Sequence, residues 1–155
     1  MLAPLFRQHL WANLTLLDFC MTLTDEQLDA VTPGIYGSIR ATWVHIIEER
    51  FVQAATTGTL PPVRPEDTSP PLSEVRERLA RTGAQALELA LAMDEDRRIK
   101  GEFRGQPFDM PAYIPLIQVI QHGAEHRTNI TTALAIMGLT PPGTDAWSYW
   151  QAEGL

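Results

Sequence analysis

His122-Gly123-Ala124-Glu125-His126 lies inside the apolar run from Ile114 to Met137. On a helix, residues four apart stand one above the other, with Cβ atoms about 5–6 Å apart. Two imidazoles held that way can share one metal ion. Only two other histidines exist, His9 and His45. His45 sits in Thr42-Trp43-Val44-His45-Ile46-Ile47, a second apolar helical stretch on whose shoulder a side chain can face a bundle interior. Two readings stand. In one, His45, His122 and His126 form a three-histidine metal site built from two helices. In the other, His122 and His126 are half-exposed surface residues and His45 is hydrogen-bonded in the core.

The rest of the chain reads outward from these two stretches. Residues 4 to about 22 form a first helix, with Phe6, Leu10, Leu14, Leu17 and Met21 as its apolar stripe. His9 falls off that stripe and reads as a surface or boundary residue. Thr24-Asp25-Glu26-Gln27 has the form of a capping box opening a short helical turn, and Thr32-Pro33-Gly34 reverses the chain. A second helix is expected from about Tyr36 to Thr57, with Arg50 and Phe51 on its broad face. Gly58 to Pro71 carries five prolines and is a linker. Its fourteen residues can span up to about 46 Å. That is longer than the about 33 Å of the helix before it, so the linker can return the chain along that helix.

A third helix is expected from Ser69 or Ser73 to Met93, with Val75, Leu79, Thr82, Ala86, Leu89 and Met93 inward. Ile99 to Phe103 and Gln106 to Phe108 flank Arg104-Gly105 and suggest a small hairpin or an extended arm. The fourth helix runs from about Pro111, or nearer Ile114 because of Pro115, to Met137, and Gly138 suits a left-handed cap. After Pro141-Pro142-Gly143 comes an irregular tail. Its Trp147, Tyr149 and Trp150 are expected to pack on the bundle and to wall a pocket. The pattern is that of an all-α four-helix bundle, with one domain over residues 1–155.

Composition narrows the function classes. The formal net charge is −7, and the twelve basic residues form no cluster, which sets nucleic acid and anionic membrane surfaces aside as partners. The lone cysteine, Cys20, excludes an internal disulfide and a cysteine-based zinc cluster, and its apolar position reads as a buried, inert thiol. No apolar run approaches the roughly 18 residues of a membrane span. The first residues lack a charged segment followed by an apolar one. The cytoplasm is the expected location.

Three kinds of metal chemistry compete for the histidines. A di-iron carboxylate site needs Glu-x-x-His motifs on two helices, but positions 42, 119 and 123 are Thr, Val and Gly. His122-x-x-Glu125-His126 matches the H-x-x-E-H of inverzincin proteases. Only 29 residues follow, however, with Asp145 and Glu153 as the carboxylates on offer. A mononuclear site of three imidazoles with one open position resembles catalytic zinc, and nitrogen ligands equally suit Ni, Co, Fe and Mn. Gln118, Glu125 and Asn129 are the nearby candidates to orient the ligand rings.

Several motifs carry a resemblance. His9-Leu-Trp11-Ala12-Asn13-Leu-x-Leu-Leu resembles the opening helix of the DinB family (DNA-damage-inducible, DinB/YfiT-like proteins). Gly37-Ser38-Ile39-Arg40-x-Thr42-x-x-His45-Ile46 is similar to its second helix. His122-x-x-x-His126-Arg127-x-x-Ile130, with Leu134, Gly138 and Pro141-Pro142, is similar to its fourth, and Asp145 to Tyr149 to its ending. The resemblance implies up-down-down-up topology with a long crossover between the second and third helices. It implies a divalent metal on His45, His122 and His126, and commonly a homodimer. Characterised relatives include S-transferases that use low-molecular-weight thiols such as bacillithiol or mycothiol, and related isomerases. A thiol transferase acting on a small molecule is therefore expected, with no side chain as nucleophile. A metal-dependent hydrolase and a non-catalytic metal-binding stress-response protein are the alternatives.

Overall fold

A computed structural model describes residues 3–47, 49–59, 70–103 and 105–154. The chain is mostly helical with one small sheet. Helix α1 (Ala3–Cys20) is followed by the short α2 (Asp25–Asp29), α3 (Ile39–Ile46) and α4 (Glu49–Thr57). Then come α5 (Leu72–Leu91), the strands β1 (Arg98–Phe103) and β2 (Gln106–Pro111), α6 (Ile114–Ile136) and α7 (Ala146–Glu153). Helix α1 packs on α5 and α6, and both α3 and α4 pack on α5 and α6. Most of the linker expected between the second and third helices, residues 60–69, lies outside the described residues. No described helix is long and apolar enough to cross a membrane.

The local signals behave as their chemistry requires. Thr24 caps α2 in a reciprocal box: its hydroxyl accepts from the Gln27 N–H, and the Gln27 side chain accepts from the Thr24 N–H at 3.0 Å. The Ser38 hydroxyl accepts from the Ala41 N–H at the start of α3. Buried Arg40 donates to Asp29 at 2.7 Å and to Asp25 at 2.5 Å, fastening α2 to α3. Gly138, with φ +75°, ends α6 in the left-handed region that side chains avoid. β1 and β2 pair antiparallel, Phe103 opposite Gln106, as the glycine-centred alternation suggested.

One expected helix is two. The stretch from Tyr36 to Thr57 breaks after Ile46, where Ile47 turns extended at φ −64°, ψ 102°. No proline or glycine marks the break, so propensity and pattern pass over it. Ile47 itself remains buried in the core.

The apolar interior falls into two clusters. One holds Leu16, Leu17 and Cys20 of α1, Trp43 and Ile46 of α3, and Ile130 and Leu134 of α6. The other holds Phe6, Val52, Ala55, Ala86, Leu116 and Val119. Along α6 the residues between the clusters include His122, His126 and Arg127, and along α1 they include His9 and Asn13. A polar layer thus crosses the middle of the helical core.

Candidate metal centre

His45 occupies the last turn of α3, and His122 and His126 share one face of α6. The three rings converge. Centroids lie 4.9 Å apart for His45 and His122, 4.8 Å for His45 and His126, and 4.5 Å for His122 and His126. One nitrogen of each lies within 4.8 Å of the others. Ion–nitrogen bonds of about 2.0–2.1 Å in tetrahedral geometry need nitrogens about 3.3 Å apart. Binding an ion would draw the three nitrogens in to that spacing. Among the described residues no aspartate, glutamate, cysteine or further histidine joins the group.

Electrostatics suit a ligand set. All three rings are half-buried, and desolvation holds each pKa below the ordinary histidine value, that of His122 at about 4. Mutual repulsion among the rings deepens the effect for His45 and His122. Near neutral pH the imidazoles are therefore uncharged, the form a metal requires.

Aromatic rings wall the cluster. Tyr36 stacks on His45 at 4.0 Å and 11°, and the Phe51 ring meets His122 edge-on at 5.4 Å. Tyr36 precedes α3, in a loop that Gly34 and Gly37 fold through positive φ. Its carbonyl accepts from the Thr42 hydroxyl, which ties the loop to the helix carrying His45.

A model of the DinB family matches residues 1–154. The chain belongs to the DinB family. Comparison with curated proteins finds no match.

In this DinB chain the site residues expected from sequence are brought together, and their neighbours differ from expectation. His9 is the clearest correction. It is 2% exposed, not at the surface. The inner face of α1 runs through Phe6, His9, Asn13, Leu16, Leu17 and Cys20, while Met21 is exposed. An apolar stripe drawn through Leu10 and Leu14 missed this face, because two of its members are polar. They are buried because α6 supplies their partner. Buried Arg127 donates to Asn13 Oδ1 at 2.6 Å and lies 3.2 Å from His9 Nδ1, while Asn13 Nδ2 lies 3.1 Å from His9 Nε2. Desolvation and the Arg127 charge lower the His9 pKa to about 3.

Of the candidates to orient the ligand rings, Asn129 approaches His126 Nδ1 at 3.5 Å, whereas Gln118 and Glu125 are exposed. His122 Nε2 instead lies 3.5 Å from the backbone oxygen of His45.

The tail also needs correcting. It is not irregular: Asp145 caps α7, accepting from the Trp147 and Ser148 N–H groups. Trp147 is 77% exposed and Trp150 51%, so these two do not bury on the helices as expected. Tyr149 contacts Trp11 of α1 at 5.3 Å. Walling of the histidines falls to Tyr36 and Phe51. Cys20 is buried as read, with burial raising its thiol pKa to about 11.

Arg50 is a functional candidate that sequence reading placed merely on a helix face. Its charge bears on both His45 and His122, lowering their pKa values. Its guanidinium lies over the Phe51 ring at 4.8 Å, and its Nε is buried and makes no hydrogen bond among the described residues.

Proposed function

We propose that this DinB protein is a divalent-metal-dependent enzyme, a transferase that adds a low-molecular-weight thiol to a small electrophile. The observation that carries the reading is the convergence of three neutral imidazoles, on two helices, with no fourth ligand among the described residues. The donor set fits an ion: all-nitrogen, uncharged near neutral pH and within 4.8 Å of one another. His45, His122 and His126 would hold it, with zinc, nickel, iron, manganese and cobalt all compatible. A bound ion would supply Lewis acidity, lowering the pKa of a thiol or water in its open position.

The chain's own residues do the rest. The His45 carbonyl orients His122 by accepting a ring N–H. Arg50 adds positive charge beside the ligands and favours an anionic nucleophile there. Tyr36 and Phe51 restrict water around the rings. No side chain acts as nucleophile; Cys20, the only thiol in the chain, is buried and in its neutral form.

The same proposal includes one domain over residues 1–155, a four-helix bundle of up-down-down-up topology formed by α1, α3 with α4, α5 and α6, and action in the cytoplasm. The packing partners of these helices support the bundle. A homodimer belongs to it too, supported by the exposure of Leu5, Ile136, Trp147 and Trp150.

The test is conjugation of a general electrophile with bacillithiol, mycothiol, glutathione and simpler thiols, by metal-loaded and metal-free protein. Acceleration that requires the metal and disappears in His122→Ala supports the proposal. Hydrolysis of an ester or amide without any thiol conjugation replaces it with hydrolase chemistry. Metal binding with no turnover of either kind leaves a metal-binding protein.

A further inference from the structure

A cavity of about 270 Å³ lies beside the histidines, with Phe51 as the shared wall. Phe51 and Ala54 of α4 line one side, Ile99, Phe108 and Met110 of the β1–β2 hairpin another, and Gln118 of α6 a third. Gln118 stands one helical turn before His122, so the cavity and the ligand cluster are neighbours on the same helix.

Close backbone contact builds this cavity. A Cβ on Gly101 would sit 2.4 Å from the Gly58 carbonyl oxygen and 2.7 Å from Cζ of Phe108. Only glycine lets β1 lie that near the end of α4. Arg97 adds a hydrogen bond at 2.8 Å to the Thr56 carbonyl. The hairpin is thereby held against α4, with Phe108 turned toward the cavity.

Among the described residues no charged side chain lines the cavity, and Gln118 is the one amide there. Such walls reject an unpaired charge and accept apolar surface. A cavity of about 150 Å³ already takes benzene, so this one has room for a ring with a short substituent.

We propose that the cavity is the subsite for the apolar part of the substrate that reacts at the three histidines: an uncharged aromatic ring or short alkyl chain. Gln118 binds the polar atom that joins it to the reacting end. The inference rests on the metal-dependent reading of the histidine cluster, and it assigns the hairpin a role in substrate choice.

The probe is toluene, followed by ligand-observed NMR on metal-free protein and on protein loaded with Mn(II). Saturable binding is expected in both, weakened at least tenfold in Met110→Trp, which fills the cavity, and likewise in Gly101→Val, which levers the hairpin off α4. Metal content is expected to stay at the wild-type level in Met110→Trp. In the loaded protein the bound toluene protons should relax faster, because the ion lies one side chain away. Absence of saturable binding, or binding undiminished in Met110→Trp, overturns the subsite. Binding that the variant abolishes but that a bound Mn(II) does not relax overturns its link to the histidines. Should elemental analysis find that the wild type holds none of Mn(II), Zn(II), Ni(II), Co(II) or Fe(II), the metal reading is at fault, and the substrate inference falls with it.

Discussion

His122 Nε2 lies 3.5 Å from the backbone carbonyl oxygen of His45, across the interface between α6 and α3. In an uninterrupted helix that carbonyl would accept the amide N–H four residues on. The break at Ile47 leaves it at a helix end, facing a ring of the ligand cluster. One ring of the candidate site thus faces the backbone of the residue that carries another.

Tyr36 should act on the site through the same ring. It stacks on His45 at 4.0 Å and is held by the Thr42 hydroxyl. Tyr36→Ala is expected to weaken metal affinity about tenfold, the size typical of losing a group that orients a ligand. A competition titration against a chromophoric chelator measures this. Tyr36→Phe, which keeps the ring, should restore affinity.

Acid should destabilise the metal-free protein through its buried histidines. The His9 pKa is about 3 when folded and 6.5 ordinarily, so below pH 6.5 the unfolded chain binds a proton that the folded one refuses. Stability is then full above pH 6.5 and falls as pH drops toward 3. At 1.36 kcal/mol per pH unit the His9 contribution approaches about 5 kcal/mol at its limit. Depressed pKa values at His45, His122 and His126 add loss in the same direction, that of His122 down to about pH 4. Urea midpoints at pH 7.0, 5.5 and 4.5 should fall steadily, and His9→Gln should fall less steeply than the wild type.

The sequence exposed the parts of this design that repeat at helical spacing. The His122–His126 pair, the inner face of α5 and the hairpin turn at Gly105 all follow local rules. What escaped it depends on partners distant in sequence. His9 and Asn13 break the apolar pattern of α1, and only Arg127, more than a hundred residues on, makes their burial tolerable. The break after Ile46 occurs among good helix formers, where tertiary packing overrides propensity. Tyr36 reaches His45 through a glycine-bent loop that carries no periodicity at all. The tail was misread for a different reason: aromatic residues suggested burial, yet Trp147 stays exposed.

The buried network offers a stability test. Asn13→Leu removes the acceptor 2.6 Å from the Arg127 guanidinium, which is 8% exposed. A buried charge that loses an acceptor should cost about 2–4 kcal/mol by urea unfolding. Asn13→Leu combined with Arg127→Met is expected to recover much of that loss, since no charge is then left buried. Equal destabilisation by the single and double changes would contradict the pairing.

Association is checked by light scattering at micromolar concentration. The expected mass is twice the 17.3 kDa of the chain. A 17.3 kDa particle contradicts the dimer.

Elemental analysis of the wild type beside His45→Ala, His122→Ala and His126→Ala decides whether the three histidines hold a metal ion. Close to one divalent ion per wild-type chain is expected, with a sharp fall in each variant and His9→Gln at the wild-type level because His9 is engaged by Asn13 and Arg127. Metal content unchanged in all three alanine variants would contradict it.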